Sequence, residues 1–596
     1  MAELKTRREM DPAYQWDFTP IYPHEEAWEA ELRALTEAVG TVAALKGTFR
    51  VSPEGLKTGL DTLFALEERL EKCVIYAMLH QSADGGDERY QAMNERAENL
   101  ANAYSAAASF LEPEILSIDP DQLSAWVAWP GLQTYRHRIE DICRSRGHVL
   151  DEASEGLLAR LDRPASAPGN AFSMLHAVDM TFPKIRNEEG NEVPLTNGNF
   201  EVFRESRDPR VREDAFRLYF GAFEQFKNTL TALYAGNVQM DNFLAATRHY
   251  PDACTASLSG NNVPVSVYDS LVSAVHEALP EMRRYLEIRR KRLGLEELHL
   301  CDLYCPIVEN VEFPVPFADS RDLVKKALLP LGAEYQTLLD RAFDEKWMDV
   351  YENKGKDTGA FSCGIYGVHP YVLLNYGDTL EDAFTVAHEL GHSMHSFFSD
   401  RANDYANAGY SLMVAEVAST VNEVLLSRYL MQTETDPRRK AFVLNRFLEG
   451  FRTTLFRQTL FAEFERKAHE MDAAGEPLTA SALSRVYHDL NALYYDGCVT
   501  DGYGDIEWAR IPHFYRSFYV YQYATGFSSA VAIARHILDT GDASGYLRFL
   551  TTGGSDYPLE ELKVAGVDLT KPNTVKDALA VFSQTLTEFE EILNSL

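Results

Sequence analysis

Helical periodicity dominates the first third of the chain and restricts the folds open to it. In stretches such as HEEAWEAELRALTEAVGTVAAL and YQAMNERAENLANAYSAAASFLEPEIL, apolar residues recur at spacings of three and four. This spacing places them on one face of an α-helix, so each stretch predicts a half-buried helix. The pattern predicts a mainly α fold with a long-helix N-terminal region, in which neighbouring helices run antiparallel.

Two short stretches depart from the helical pattern. Residues 180–205 alternate in character around a turn that contains glycine, which predicts a short β-hairpin. Residues 355–376 are rich in Gly, Tyr and Val and predict two strands joined by a glycine-rich loop. The second stretch therefore predicts a small β-sheet directly before a histidine-rich motif.

Composition excludes some partners. The chain has 596 residues and a formal charge of −33, which argues against nucleic acid or an anionic membrane surface as its main partner. No run reaches the roughly 20 apolar residues that a membrane span needs, and the charged start lacks a signal-peptide core. The seven scattered cysteines are expected to be reduced thiols. We therefore expect a cytoplasmic protein without a membrane or nucleic-acid partner.

The motif TVAHELGHSMHSFF occupies residues 385–398. Thr379 and Asp382 resemble a capping box, and the apolar residues after them predict an amphipathic helix. Histidines four apart on a helix lie one above the other, so His388 and His392 can both reach one metal ion. Glu389 lies about a quarter turn away, where it can reach a metal-bound water as general base. The competing interpretation is two partly buried histidines on an ordinary amphipathic helix.

A catalytic zinc site usually has three protein ligands, so a third is needed. The stretch YSLMVAEVASTVNEVLL predicts a second helix with Glu416 and Glu423 two turns apart on one side. Small apolar neighbours favour Glu416 as the ligand over a solvated acid. A remaining carboxylate, Glu423 among them, can accept the free ring N–H of a ligand histidine. His395 lies two turns from His388, about 10.5 Å along the axis, and is expected to be only a neighbour of the site.

Several separated segments together resemble the M3 family of zinc metallopeptidases, and its oligoendopeptidase F branch in particular. They are HELGHSMHS, AEVASTVNE, WDFTPIYPHEEAWEAEL and IPHFYRSFYVYQYATGFSSA, in the order expected of that family along the chain. The resemblance implies one Zn²⁺ per chain, held by His388, His392 and Glu416, with Glu389 as general base. It also implies a zincin-type catalytic domain with a small β-sheet that encloses a deep substrate channel.

The same resemblance implies a division of the chain. The N-terminal helical region covers residues 1–195 and includes an oligoendopeptidase F-like segment at about 115–185. The M3-type metallopeptidase catalytic domain covers residues 196–596.

Further catalytic residues are implied in PHFYRSFYVYQYATG. His513 matches a histidine that lies over the substrate, and Tyr519 and Tyr523 match tyrosines that line the cleft; such groups can donate to a developing oxyanion. The spacing differs by one residue from that of thimet-type relatives. The assignment among Tyr515, Tyr519, Tyr521 and Tyr523 therefore stays open.

The expected activity is zinc-dependent cleavage of internal bonds in short, unfolded peptides, with Glu389 activating a zinc-bound water. Substrates are expected to add as a strand to the edge of the small sheet near GAFSCGIYG. The alternatives are a carboxypeptidase or dipeptidyl carboxypeptidase on the same scaffold and a peptide-binding protein without activity. Cleavage preference, oligomeric state and the native metal beyond zinc are not decided by the sequence.

Overall fold

The computed structural model describes residues 4–308, 311–500 and 502–596, and it is mostly helical. The first α-helices are α1 (Glu25–Val39), α2 (Pro53–Ala83), α3 (Glu88–Ala108), α4 (Leu111–Leu116), α5 (Pro120–Val127), α6 (Arg136–Arg144), α7 (Glu152–Ala165), α8 (Ala167–Met174), α9 (Phe200–Arg204), α10 (Pro209–Gln225), α11 (Lys227–Thr247), α12 (Ala253–Ser259) and α13 (Val265–Arg292). The predicted mainly α fold is confirmed.

The remaining α-helices include the one that carries the histidine motif. They are α14 (Phe317–Ala327), α15 (Gly332–Asp344), α16 (Leu380–Ala402), α17 (Tyr405–Ala408), α18 (Leu412–Thr433), α19 (Pro437–Gly450), α20 (Arg457–Ala473), α21 (Ala480–Tyr494), α22 (Tyr521–Thr540), α23 (Ser544–Phe549), α24 (Pro558–Val564) and α25 (Asn573–Ser595). The strands are β1 (Lys184–Arg186), β2 (Glu192–Pro194), β3 (Leu298–His299), β4 (Met348–Asp349), β5 (Phe361–Cys363), β6 (Tyr371–Leu373) and β7 (Cys498–Val499).

The chain forms two compact units, each assembled from three separate segments. Unit 1 consists of Met1–Arg146, Phe313–Leu430 and Ile533–Val567. Unit 2 consists of Gly147–Glu312, Met431–Ala532 and Asp568–Leu596. The histidine motif lies in unit 1, and the His513 segment lies in unit 2.

The N-terminal helices of unit 1 pack around an apolar core. Trp28 of α1 is fully buried there, and its indole N–H donates to the carbonyl of Cys73 on α2 at 2.9 Å. Leu56, Leu60 and Leu63 follow the helical spacing along α2 and are also buried. The predicted long helices of this region are confirmed. A helix with one apolar face gains stability by burying that face against its neighbours.

The small sheet of unit 1 has three strands in the order β4-β6-β5. β5 pairs antiparallel with β6, Phe361 opposite Leu373 and Cys363 opposite Tyr371, which confirms the predicted pair. β4 pairs in parallel with β6 and has only two residues, too few to show a period of two in the sequence. β5 is therefore at one edge of this sheet.

Unit 2 holds the predicted hairpin. β1 pairs antiparallel with β2, Lys184 opposite Pro194, and Gly190 takes a positive φ of 81° in the turn between them. A residue with a side chain would be strained in that conformation. None of the helices in the described part of the chain is long and apolar enough to cross a membrane.

Candidate metal centre

Helix α16 positions the two histidines through a defined start. The backbone N–H of Asp382 donates to Thr379 Oγ at 3.2 Å, and that of Thr379 donates to Asp382 Oδ2 at 2.9 Å, so the predicted capping box is confirmed. The apolar stripe predicted for this helix is buried; its members are Leu380, Ala383, Phe384, Ala387, Leu390 and Met394. This burial fixes the rotation of α16, and with it the direction of His388 and His392.

Helices α16 and α18 meet at their backbones. A Cβ atom added to Gly391 would lie 2.5 Å from Ser419 Cα and 2.7 Å from the carbonyl oxygen of Ala418, so only glycine fits between the helices. The buried Asn422 side chain ties the two together by donating from Nδ2 to the carbonyl of Ala387 at 2.9 Å. The close approach brings Glu416 of α18 next to the histidines of α16.

Three donor atoms converge between these helices. His388 Nε2 and His392 Nε2 are 3.2 Å apart, and Glu416 Oε2 lies 3.6 Å and 3.8 Å from them, respectively. Ligands at about 2.0–2.2 Å from a tetrahedral zinc ion are separated by roughly 3.3 Å. The spacing and the two-nitrogen, one-oxygen donor set therefore fit a zinc ion. Within the described residues, this is the group that could hold a metal.

A second carboxylate orients the first histidine. Glu423 Oε1 lies 2.7 Å from Nδ1 of His388 and accepts its ring proton, which directs Nε2 towards the other donors. The backbone of Ala415 hydrogen-bonds the ring of His392 in the same way. The sequence predicted Glu423 as one candidate for this role, and the structure selects it.

The electrostatics of the site place one positive charge on the histidine pair. Burial alone would lower the pKa of His388, but the hydrogen bond and the charge of Glu423 raise it to about 9. Burial and the charge of His388 lower the pKa of His392 to about 3. His388 is therefore the protonated member of the pair at neutral pH, and a metal ion has to displace that proton.

Glu389 lies between the histidines along α16 and is only 6% exposed. Its burial raises the pKa of this carboxyl to about 7, an effect that the positive charge of His388 opposes. A carboxyl that titrates near neutrality can both accept and return a proton at physiological pH. This behaviour is what a general base that later acts as an acid requires.

The His513 segment of unit 2 brings two of its tyrosines to that histidine. The hydroxyl of Tyr519 is hydrogen-bonded to Nδ1 of His513, and it lies 3.4 Å from the hydroxyl of Tyr523. Burial and the charge of Arg457 lower the pKa of His513, so its ring is neutral at neutral pH. Phe518, the residue before Tyr519, has a positive φ of 60°. The backbone turns at this residue, which places Tyr519 beside His513.

Comparison with known sequences decides the family. The family described as "Peptidase family M3" matches residues 202–581, and the one described as "Oligopeptidase F" matches residues 114–182. The chain belongs to peptidase family M3. It is therefore a peptide hydrolase, and the resemblance seen in the sequence is confirmed.

Individual relatives of this M3 peptidase are similar over most or all of their length. Oligopeptidase PepF of Bacillus subtilis (strain 168) is 42% identical over 595 residues, which cover 99% of this chain and 89% of the relative. The crystal structure of oligoendopeptidase-F from Enterococcus faecium is 36% identical, with a TM-score of 0.75 over 96% of this chain and 100% of that chain. A solved chain from Chlamydophila abortus is 34% identical, with a TM-score of 0.93 over 99% and 100% of the two chains.

The other two tyrosines of the His513 segment have packing roles in the M3 peptidase. The ring of Tyr515 stacks on Phe172, with centroids 4.5 Å apart. Tyr521 is 1% exposed, and its hydroxyl has no hydrogen-bond partner within the described chain. Tyr519 and Tyr523 are thus the pair that the structure links to His513.

His395 and one residue that the sequence did not single out surround the histidines. His395 is fully buried and stacks on the ring of Tyr410 with centroids 3.7 Å apart, as expected of a neighbour that is not a ligand. The hydroxyl of Tyr410 lies 2.8 Å from Ser396 Oγ and 3.5 Å from the carbonyl oxygen of His392. Tyr410 comes after the short helix α17 and belongs to no motif, so no sequence signal pointed to it.

Proposed function

We propose that this M3 peptidase is a zinc-dependent endopeptidase that hydrolyses internal bonds of short, unfolded peptides. The observation that carries the proposal is the convergence of two imidazole nitrogens and one carboxylate oxygen at 3.2–3.8 Å from one another, with the buried Glu389 on the same helix. His388, His392 and Glu416 hold the ion in this proposal. When bound, zinc supplies Lewis acidity, which polarises a peptide carbonyl and makes water a better nucleophile near neutral pH.

Glu389 carries the proton in the proposed reaction. Its carboxylate accepts a proton from the attacking water as the water oxygen bonds to the carbonyl carbon. It then gives that proton to the leaving amine nitrogen as the peptide C–N bond breaks. The raised pKa of about 7 supports both halves of this role, because neither protonation state of Glu389 is strongly disfavoured at neutral pH.

His513 stabilises the oxyanion in this proposal, and Tyr519 fixes the position of the proton on its ring. If the Tyr519 hydroxyl donates to Nδ1 of His513, the neutral ring carries its proton on Nε2, from which it can donate to the substrate. Tyr523 supports Tyr519 through the 3.4 Å approach of the hydroxyls. Donors that are fixed before the reaction stabilise developing charge without reorganisation.

The edge strand favours an endopeptidase over an exopeptidase. Within the described sheet, β5 pairs only with β6, so a peptide can add along its other side through main-chain hydrogen bonds. Such pairing does not require a free terminus. It also reads little of the peptide's sequence, which supports broad specificity towards short unfolded peptides.

The test is cleavage of a fluorescence-quenched peptide that is blocked at both ends. The wild-type enzyme is assayed as purified, after chelation and after zinc is restored, beside Glu389→Gln and the control Glu381→Gln. Glu381 is an exposed acid on the same helix, so its loss is expected to leave activity close to the wild-type value. Activity that is lost on chelation, regained with zinc and absent only in Glu389→Gln is the expected result.

Two other results would indicate a different function. Cleavage only of peptides with a free C-terminus would identify a carboxypeptidase or dipeptidyl carboxypeptidase. Tight binding of peptides without cleavage by the zinc-loaded enzyme would indicate a binding protein. Cleavage of a folded protein as fast as of the peptide would contradict the restriction to short unfolded substrates.

A further inference from the structure

Unit 2 contains a buried cluster of arginines around Tyr304, apart from the residues used above for catalysis. The guanidinium carbon of Arg204 lies 3.4 Å from the centroid of the Tyr304 ring, and that of Arg452 lies 4.3 Å from it. The Tyr304 ring is therefore in contact with two cations. Burial of two such charges is costly unless negative charge is close by.

The arginines of the cluster outnumber the carboxylates that pair with them. Five guanidinium groups share three carboxylates in the pairs Arg204–Glu201, Arg289–Glu449, Arg452–Glu449, Arg457–Glu507 and Arg510–Glu507. A fourth acid, Glu205, lies near Arg204 but is solvent-exposed, which weakens its field by screening. The cluster therefore carries an excess of positive charge.

Several donors of the cluster are buried without an acceptor. Arg452 Nη1 and the Tyr495 hydroxyl have no hydrogen-bond partner among the described residues, although the two side chains are almost fully buried. Nε of Arg204 and Nε of Arg510 are also buried atoms without a hydrogen-bond partner among the described residues. Buried N–H groups of this kind are rarely left without an acceptor, so the cluster lacks a partner that accepts hydrogen bonds.

The cluster is open enough for a small ligand to reach it. The side chains of Arg204 and Arg457 each keep 13% exposure, and Tyr304 is also only partly buried. A fully occluded salt-bridge network would leave no room for an additional group. The exposure of these three side chains leaves part of the cluster accessible to an anion from solvent.

The surrounding charges already act on neighbouring groups. Burial alone would raise the pKa of Tyr304, but the charges of Arg457, Arg452 and Arg204 lower it to about 7. Arg457 also contributes to the lowered pKa of His513. The positive field of the cluster therefore extends to the proposed catalytic histidine.

We propose that Arg204, Arg452, Arg457 and Tyr304 form a binding site for a small monovalent anion that accepts hydrogen bonds. The buried N–H groups of Arg452 and Arg204 supply the donors, and the excess positive charge supplies the attraction. A single negative charge offsets part of this excess, and both a halide and a carboxylate carry one and accept hydrogen bonds. The anion can come from solution, or it can be the C-terminal carboxylate of a bound peptide; only this second source rests on the proposed function.

The site is tested by titrating chloride into the protein in a buffer that contains no other halide, and by measuring the ³⁵Cl NMR linewidth of the chloride. We expect excess broadening with the wild-type protein, which acetate removes by competition. The variant Arg204→Gln is expected to lose about tenfold in chloride affinity, the effect of one charge-assisted hydrogen bond. The control Arg217→Gln removes an exposed arginine of α10 in the same unit and is expected to leave the broadening unchanged.

A second variant keeps the test valid if Arg204→Gln does not fold cooperatively. Tyr304→Phe removes one oxygen and is expected to weaken chloride binding several-fold, because the phenol donates to the anion. In the wild type, chloride is also expected to raise the pH at which Tyr304 ionises, measured as the 295 nm absorbance difference from Tyr304→Phe. Broadening that is equal in wild type, Arg204→Gln and Tyr304→Phe would overturn the proposal.

The source of the anion is resolved with the inactive Glu389→Gln protein, in which peptides are not consumed. Displacement of chloride by a peptide with a free C-terminus, but not by its amidated form, would identify the peptide carboxylate as the ligand. Displacement by acetate alone would identify a free anion from solution, and the site itself would stand in either case. Because this readout does not require cleavage, it separates a failure of the anion site from a failure of the proposed peptidase activity.

Discussion

Substitution of Gly391 by alanine tests whether the contact between α16 and α18 sets the spacing of the metal donors. The added Cβ would lie 2.5 Å from Ser419 Cα, whereas carbon atoms in contact are normally about 3.5–4.0 Å apart. The helices must therefore separate by about 1 Å at this point. His388 and His392 lie on one of these helices and Glu416 on the other, so the separation acts directly on the 3.6 Å and 3.8 Å donor distances.

The expected effect on folding is small, while that on metal binding is large. Overpacking costs about 1–3 kcal/mol. Alanine is favoured over glycine inside a helix by about 1 kcal/mol, which offsets part of that cost. A metal site tolerates errors of only about 0.2 Å in its ligand distances. We therefore expect Gly391→Ala to melt within a few degrees of wild type but to bind zinc about 10–100-fold more weakly, a loss typical of a disturbed ligand environment.

The assay is competition for zinc with a chromophoric chelator, together with thermal melting of the metal-free proteins. Gly221→Ala is the matched control, because Gly221 lies inside α10 and a Cβ there would meet nothing within 4 Å. This control is expected to keep the wild-type zinc affinity. If Gly391→Ala also binds zinc as tightly as wild type, the helix contact does not set the donor spacing and the reasoning is wrong.

Three further outcomes are expected. Glu423→Gln is expected to bind zinc about 10–100-fold more weakly in the chelator assay, because the hydrogen bond that orients His388 loses its charge; unchanged affinity would contradict that role. Zinc has to displace the proton of His388, whose pKa is about 9, so the apparent zinc affinity is expected to fall about tenfold per pH unit as the pH drops from 9 to 7. Calorimetry at neutral pH is expected to show the release of about one proton for each zinc ion bound. A zinc affinity that does not change with pH would contradict this expectation. Tyr519→Phe is expected to lower kcat/KM for the quenched peptide about 10²-fold with little change in KM, whereas Tyr521→Phe is expected to have little effect, and equal losses would exclude Tyr519 as a specific donor.

Local sequence patterns predicted those parts of the site that depend on one helix. The capping box at Thr379, the buried stripe and the facing pair His388 and His392 all result from the period of an α-helix. Glu416 comes from another helix, and its apolar neighbours and the family resemblance favour it as a ligand. Its side chain is nevertheless 32% exposed, more than those neighbours suggest, because it faces His388 and His392 instead of the core.

Features that depend on the packing of distant segments were beyond sequence reasoning. Tyr515, Tyr519, Tyr521 and Tyr523 lie in one short segment. The turn at Phe518 separates Tyr515 from the pair at His513, whereas Tyr521 lies between Tyr519 and Tyr523 in sequence and is buried. The arginine cluster combines residues from widely separated parts of the chain, so no spacing of residues in the sequence predicts it. The boundary predicted near residue 195 stays a prediction.

The discontinuous assembly of unit 1 has a consequence for biosynthesis. The last of its three segments is Ile533–Val567, and Tyr546 of that segment donates to the carbonyl of Ala418 on α18, two residues from the proposed metal ligand Glu416. Phe549 of the same segment packs on His395, with ring centroids 5.2 Å apart. A ribosome must therefore translate beyond residue 567 before the support of this centre is complete. We therefore expect the growing chain to gain peptidase activity only after this last segment has been synthesised.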